Sequence, residues 1–371
     1  MLRPAAKATA IVLGVLIGCQ TLAMAGSQRD SLAPLAKDLL KLVTDTNQSG
    51  LEIVVFTGEG HSNIGAGLRE DLKLALHALR PGLVQEKAAL RVTGTYKRVP
   101  DPLAPDLVLL KVDAAVEDKS QEIASYSIQV RDTGLIALSD GGTVSLAPKA
   151  TREMRNKALQ PALQQPSYHV QNTIIRTRPQ SPFGLEVLVT SRQHAPTDVA
   201  GWNRIPPRAP INQNGEAYVA INRDEVYALR VHNKMKHEAA VTTTIDGVDV
   251  FTFSEIRDEH GLPRYKQNII APGTGMIVGW HKTNQRSDSF LVTEYGKGAA
   301  SKVGIPAQGK VGVITVRFAL AWQGKNIPEE EMGARDGGNE TGFGPPVRVN
   351  QQEVQRHTGV VRDVISVRYS R

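Results

Sequence analysis

Apolar residues recur at helical spacing from Ser31 to Val43, where Leu32, Leu35, Ala36, Leu39, Leu40 and Val43 fall on one face. Asn47-Gln48-Ser49-Gly50 then supplies turn residues that close this helix. The next run, Leu51 to Phe56, is almost continuously apolar, as expected of a strand covered on both faces. Helical spacing returns between Ile64 and Leu79 through Leu68, Leu72, Ala75 and Leu76, and Arg80-Pro81-Gly82 stops it. Leu90–Tyr96 and Leu107–Val116 read as long strands joined by a Pro/Asp turn, and Ile123–Arg131 reads as a third. Helix, strand, helix and then a run of strands predicts an α/β domain over residues 28–147.

Residues 148–182 are polar and punctuated by proline, the pattern of a connector with one helix, Thr151–Leu159. From 183 to 322 the chain carries a series of short apolar segments separated by turns such as Asn212-Gln213-Asn214-Gly215 and Ile245-Asp246-Gly247. No long helix interrupts the series, so an antiparallel β-sandwich is the expected solution. Residues 323–346, rich in Gly, Glu and Pro, read as an exposed loop in which Glu329-Glu330-Glu331 is a solvated charge run. A terminal strand segment occupies 347–371, its core running from Val360 to Tyr369. The fold class read from this pattern is α+β: an N-terminal α/β domain followed by an antiparallel β-sandwich domain.

The first 25 residues read as a signal peptide. Arg3 and Lys7 precede an acid-free apolar stretch from Ala8 to Leu22, and Ala23-Met24-Ala25 offers small residues for cleavage before Gly26. A spanning helix needs about 20 apolar residues, and Gly14, Gly18 and Gln20 break this stretch. Leu16-Ile17-Gly18-Cys19 also resembles a lipobox, which makes Cys19 a candidate for lipidation and gives the protein a second route, an acyl anchor, to a membrane. Against it, Leu22-Ala23-Met24-Ala25 is more apolar than the spacer of a lipoprotein; both cleavage modes stay open. Either way the expected location is extracytoplasmic: periplasm, outer membrane or secreted.

Cys19 is the sole cysteine, so the remainder of the chain excludes cysteine proteases, thioredoxin-like redox chemistry and cysteine-based zinc sites. The formal charge of +7 includes Arg3 and Lys7, leaving +5 without the leader. Its basic residues are scattered, with Arg176 and Arg178 the densest pair, and form neither a stripe nor a nucleic-acid motif. Aromatic residues, at 5% of the chain, are too sparse for a base-stacking groove. No nucleic-acid partner is expected.

Candidate chemistry is thin. Thr57–Gly67 is a glycine-rich loop between a strand and a helix, a position that suits phosphate. It has Asn63 where the dinucleotide pattern has glycine, and Ala66-Gly67 where a P-loop has Lys-Ser/Thr, so it reads as a plain connection. His232, His237, His260 and His281 lack the short spacings of zinc ligands, and Asp258-Glu259-His260 lacks the regular oxygen spacing of a calcium loop. No G-x-S-x-G nucleophile elbow is present. Trp280 and Trp322 end apolar runs and belong in a core, whereas Trp202, among Asp198, Gly201, Asn203, Pro206 and Pro207, is expected on an exposed loop. Trp202, His260 and His281 are therefore the candidate ligand-contact residues. No catalytic residue, metal ligand or cofactor is assigned.

The helix at Leu32, the strand at Ile53, the loop Gly58–Gly67 and the helix Leu68–Leu79 together resemble bacterial envelope lipoproteins of the curli-assembly and flagellar outer-membrane type. Glu225–Asn233, Thr244-Ile245-Asp246-Gly247, Gly279–Asn284, Ser287–Tyr295 and Gly359–Tyr369 resemble an uncharacterised module of secreted bacterial proteins. These resemblances imply an envelope location, protein partners in the envelope and no catalysis. The expected role is a non-enzymatic accessory protein that makes protein–protein contacts. The alternative is an extracytoplasmic hydrolase, or a carbohydrate-binding protein, that uses the sandwich loops around Trp202, His260 and His281.

Overall fold

A computed structural model describes residues 28–58, 63–85, 87–102, 104–130, 142–257, 263–294, 296–303, 312–324, 327–331 and 346–369. Helices α1 (Gln28–Asp45) and α2 (Asn63–Leu79) cover one face of a five-stranded sheet. Its short strands β1 (Leu51–Ile53) and β2 (Thr57–Gly58) both run parallel to β3 (Leu90–Asp101), with α2 as the crossover that a parallel pair requires. Strand β3 pairs antiparallel with β4 (Ala104–Asp118), and β4 with β5 (Gln121–Val130). Alternation sends Val92, Tyr96, Leu110, Val112 and Val116 under the helices, against Leu35, Leu39, Leu68, Leu72 and Leu76. Helix and strand approach closely here. A Cβ added at Gly65 would lie 1.8 Å from the Phe56 carbonyl oxygen, and one at Gly94 would lie 2.2 Å from the Phe56 ring. The glycines of this region thus seat α2 on the sheet; Glu59 to Ser62 lie outside the described residues.

The connector expected over 148–182 is built into the layers on either side of it. After β6 (Val144–Ser145) comes α3 (Arg152–Gln164), capped by Thr151, whose hydroxyl accepts the Met154 N–H at 3.2 Å. Leu159 of α3 joins the first core. The hairpin β7 (His169–Gln171) and β8 (Ile174–Arg176) then pairs with β9 (Phe183–Ser191).

The strands that follow are β10 (Ile211–Gln213), β11 (Glu216–Tyr218), β12 (Glu225–Asn233), β13 (Glu238–Ile245), β14 (Val248–Asp249), β15 (Asn268–Ile270) and β16 (Gly273–Ile277). After them come β17 (Trp280–Thr283), β18 (Arg286–Asp288), β19 (Phe290–Leu291), β20 (Val313–Trp322), β21 (Pro346–Arg348) and β22 (His357–Arg368). Two short helices stand between strands: α4 (Val199–Arg204) between β9 and β10, and α5 (Ala299–Lys302) between β19 and β20.

Eight strands form one sheet in the order β10-β11-β22-β20-β13-β14, with β15 on β13 and β6 on β22. Six form another, β16-β12-β9-β8-β7, with β19 on β12. The two pack face to face, with Leu185, Val187, Leu229 and Val231 opposite Val241, Val316, Ile365 and Val367, and with Phe183 stacked on Phe318 at 4.8 Å. A three-stranded sheet, β17-β18-β21, lies beside them. The architecture is a β-rich α+β fold with a sandwich-like arrangement of sheets.

Strand β22 is central, and it is buried on both faces along most of its length. Its Val361 and Val364 pack with Leu146 and Leu159 in the first core, while Ile365 and Val367 pack inside the sandwich. The first core and the sandwich therefore share this strand, and they also touch where Val55 packs with Val248 and Ala300.

Three polar or aromatic readings change in the structure. Trp202, expected on an exposed loop, is fully buried on α4, where it seals the outer face of the six-stranded sheet with Leu188, Val226, Ala228 and Val278. Asp198 caps that helix by accepting the Gly201 N–H at 2.7 Å, and the turn swings the indole inward. Glu331, expected in a solvated run, is buried and takes two hydrogen bonds from Arg362, at 2.6 and 2.9 Å, and one from the Val360 N–H at 3.1 Å. Arg176, counted with the surface charge, is also fully buried and donates to the carbonyls of Ser181 and Phe183 at 2.7 and 3.0 Å.

Candidate functional site

Of the three candidate ligand-contact residues, only His281 leaves a chemical question. Trp202 is enclosed, and His260 lies outside the described residues, as does Cys19. His281 is buried on β17 between the rings of Phe251 and Tyr265, with Nδ1 3.0 Å from the Ser254 hydroxyl. Burial in this apolar pocket pulls its pKa down to about 4, so the ring is neutral at neutral pH.

A serine beside a neutral histidine is half of a hydrolytic triad. The other half is not assembled. Ser254 is itself buried, and its hydroxyl donates to the Ile256 carbonyl at 3.1 Å while accepting the Ile256 N–H. That is an ST-turn, a local backbone lock. No carboxylate among the described residues accepts a hydrogen bond from His281; Glu255, the acid whose charge acts on it, pairs with Arg286 at 2.5 Å and Lys282 at 3.7 Å. The pair fixes a turn and does not present a nucleophile to solvent.

A second polar cluster lies on the outer face of the six-stranded sheet. Glu186 receives hydrogen bonds from Thr173 and from Arg230 at 3.3 Å, and faces His232 Nε2 at 2.9 Å. Burial would raise its pKa, but these donors and the nearby positive charge dominate and lower it to about 2. Every partner of Glu186 is a neighbour on the same sheet, as expected of a group that ties strands together. Among the described residues, no group of three or more metal-ligating side chains converges.

The surface with the most unspent capacity is on the first sheet, away from the sequence candidates. Its helix-free face carries Thr93, Thr95, Asp113, Ala115, Ser125 and Ser127 around a shallow trough of about 560 Å³. Beside the trough runs β5, which pairs with β4 on one side and with no strand on the other among the described residues. From Ile123 to Val130 it reads Ile-Ala-Ser-Tyr-Ser-Ile-Gln-Val, without charge or proline. A register shift at Val116/Glu117 affects only its first residues. Natural edge strands are blunted by shortness, lysine, proline or bulges. Elsewhere this molecule uses shortness: the terminal strands β7, β10, β14 and β16 span three, three, two and five residues, whereas β5 spans ten. The sequence signal for this edge was present in that charge-free run, but its edge position became visible only with the strand order.

These features define a β-rich α+β protein in which β5 is an edge strand among the described residues. No family model, curated protein or solved structure matches the chain. No helix among the described residues is long and apolar enough to cross a membrane.

Proposed function

We propose that this is an exported, non-catalytic accessory protein of the bacterial cell envelope that binds a protein partner by strand addition at β5. The single observation that carries the contact is the ten-residue β5 edge, free of charge from Ile123 to Val130, in a molecule whose other sheets end in short strands among the described residues. In strand addition, main-chain hydrogen bonds supply affinity and the flanking side chains supply selectivity. Here the flanking positions are Ile123, Ser125, Ser127 and Gln129. The leader over residues 1–25 supports export, and the resemblance of the first region to envelope lipoproteins is consistent with this setting. Acylation at Cys19 would hold the contact surface at a membrane; intact-mass measurement of the mature protein distinguishes that from cleavage before Gly26.

The test is in-cell crosslinking from a photoreactive residue at Ser127, compared with one at the exposed Val354 on the sandwich. A discrete envelope-protein adduct from Ser127 alone, lost in the double variant Ile123→Lys/Ser125→Lys, is the expected result. Equal adducts from both positions, or adducts unaffected by the lysines, would refute strand addition at β5. A self-adduct would replace the envelope partner with a second copy of the chain.

A further inference from the structure

The sandwich closes at one end around a cavity of about 110 Å³. Three aromatic residues line it: Tyr227, Trp280 and Tyr369, all buried. Tyr227 and Tyr369 have ring centroids 5.8 Å apart, and Trp280 meets Phe290 edge to face at 4.9 Å. Small residues from Gly298 to Ser301 complete the wall, with Glu294 also on the lining.

One carboxylate enters this enclosure. Asp246 occupies the turn between β13 and β14 at φ +55°, a left-handed position that aspartate and asparagine tolerate better than most residues. Its Oδ1 accepts the N–H groups of Gly312 and Val313 at 2.5 and 2.9 Å, and its Oδ2 accepts the Tyr369 hydroxyl at 2.6 Å. A carboxylate has about four acceptor positions, so Oδ2 retains capacity. Among the described residues no lysine, arginine or histidine pairs with Asp246, and burial raises its pKa. This separates Asp246 from Glu331, Glu186 and Glu225, which all hold basic partners. Glu294 is matched by Arg223 at 2.9 Å and Lys297 at 3.1 Å. The indole N–H of Trp280 is buried without a hydrogen-bond partner.

An aromatic enclosure whose acid has no basic partner among the described residues suits a small cation. Ring quadrupoles attract cations, most strongly where water is excluded, and the part-buried carboxylate of Asp246, whose charged form burial penalises, gains from an arriving counter-charge. With a water molecule taking roughly 30 Å³ of liquid volume, the cavity matches a head group of a few heavy atoms. We infer that the cavity bounded by Tyr227, Trp280, Tyr369 and Asp246 is a binding site for the head group of a small alkylammonium cation. The site is separate from the β5 edge, so the two proposals fail independently.

The probe is tetramethylammonium chloride, with tert-butanol as a neutral ligand of similar shape and sodium chloride as the ionic-strength control. The readout is the indole N–H resonance of Trp280 in a two-dimensional NMR spectrum of the mature protein. The spectrum also reports Trp202 and Trp322, which lie outside the cavity lining. Saturable movement of the Trp280 signal with tetramethylammonium alone is expected, at millimolar dissociation constants. Asp246→Asn keeps a carbonyl for the two backbone N–H groups, an amide for the Tyr369 oxygen and tolerance of the positive φ, so its fold is retained while the charge is removed. It should weaken tetramethylammonium at least tenfold. Tyr369→Phe, which keeps the ring and frees Oδ2, should stay within about threefold of the parent. Unchanged affinity in Asp246→Asn, equal response to tert-butanol, or no saturable shift in the parent would each overturn the assignment.

Discussion

The first sheet and the sandwich treat polar residues in opposite ways. In the sandwich the largest of them are enclosed and tied to neighbours: Arg176 to carbonyls through one guanidinium nitrogen, Glu331 to Arg362, and Glu186 to Arg230, His232 and Thr173. On the outer face of the first sheet Thr95, Ser125 and Ser127 stay exposed, and the edge beside them has no strand partner among the described residues. Coverage explains the contrast. The six-stranded sheet has its outer face closed by Trp202, and β22 is covered by Leu146 and Leu159, whereas α1 and α2 cover only one side of β3, β4 and β5. Polarity in a sequence therefore marks structural ties in one half and available surface in the other, and only layer order separates them.

The largest test of that contrast is Glu331→Ala. It strands Arg362 in a buried position, and loss of one partner of a buried pair costs about 3–5 kcal/mol. Chemical denaturation should find a loss of this size, and a double replacement by methionine at Glu331 and Arg362 should recover most of it. A loss below about 1 kcal/mol would mean that the pair is effectively solvated.

Acid comes next. The neutral His281 ring is favoured in the fold, with its pKa at about 4 against an ordinary value of 6.5. The unfolded chain therefore takes up the proton first as pH falls, and stability present above pH 6.5 declines toward pH 4 by an amount on the order of 3 kcal/mol. Glu186 acts in a lower window. Its pKa is depressed from 4.5 to about 2, so its contribution is held above pH 4.5 and lost toward pH 2. Denaturation midpoints across this range should fall in two stages, and His281→Gln should flatten the upper one. A midpoint unchanged between pH 7 and pH 5 would contradict the buried neutral ring.

The smallest effect on stability is expected at β5. Ile123→Lys/Ser125→Lys changes two exposed positions, and surface changes of this kind stay within about 0.5 kcal/mol each. Such a variant loses partner contact without losing the fold. If it unfolds, β5 is a structural strand and not a free contact surface.

Much of this layout is legible in the residues. Period and punctuation find α1, α2, the three long strands and most strands of the sandwich, with α2 and β13 within a residue or so of their observed limits. The hairpin β7–β8 is missed because His169–Arg176 carries few apolar positions, and its buried end is an arginine neutralised by backbone carbonyls that no local pattern reveals. Trp202 is misplaced for a readable reason: Asp198 with Val199, Trp202 and Ile205 is a cap followed by apolar residues at near-helical spacing, overlooked among the prolines. The Asp246 cavity belongs to a different class. Its members Tyr227, Asp246, Trp280 and Tyr369 are more than 140 residues apart at the extremes, so only tertiary structure unites them.

The position of β22 also has a kinetic meaning. This strand must slot between β11 and β20 and also meet β6, more than 200 residues earlier in the chain. Contacts that distant close slowly, because loop entropy is spent before any pairing offsets it. Until they form, the facing margins of β11 and β20 and the apolar flank around Leu159 stay bare, which is the condition under which chains stick to one another. Folding yield in this protein should therefore depend on how promptly that final insertion occurs, more than on how firmly it holds once made.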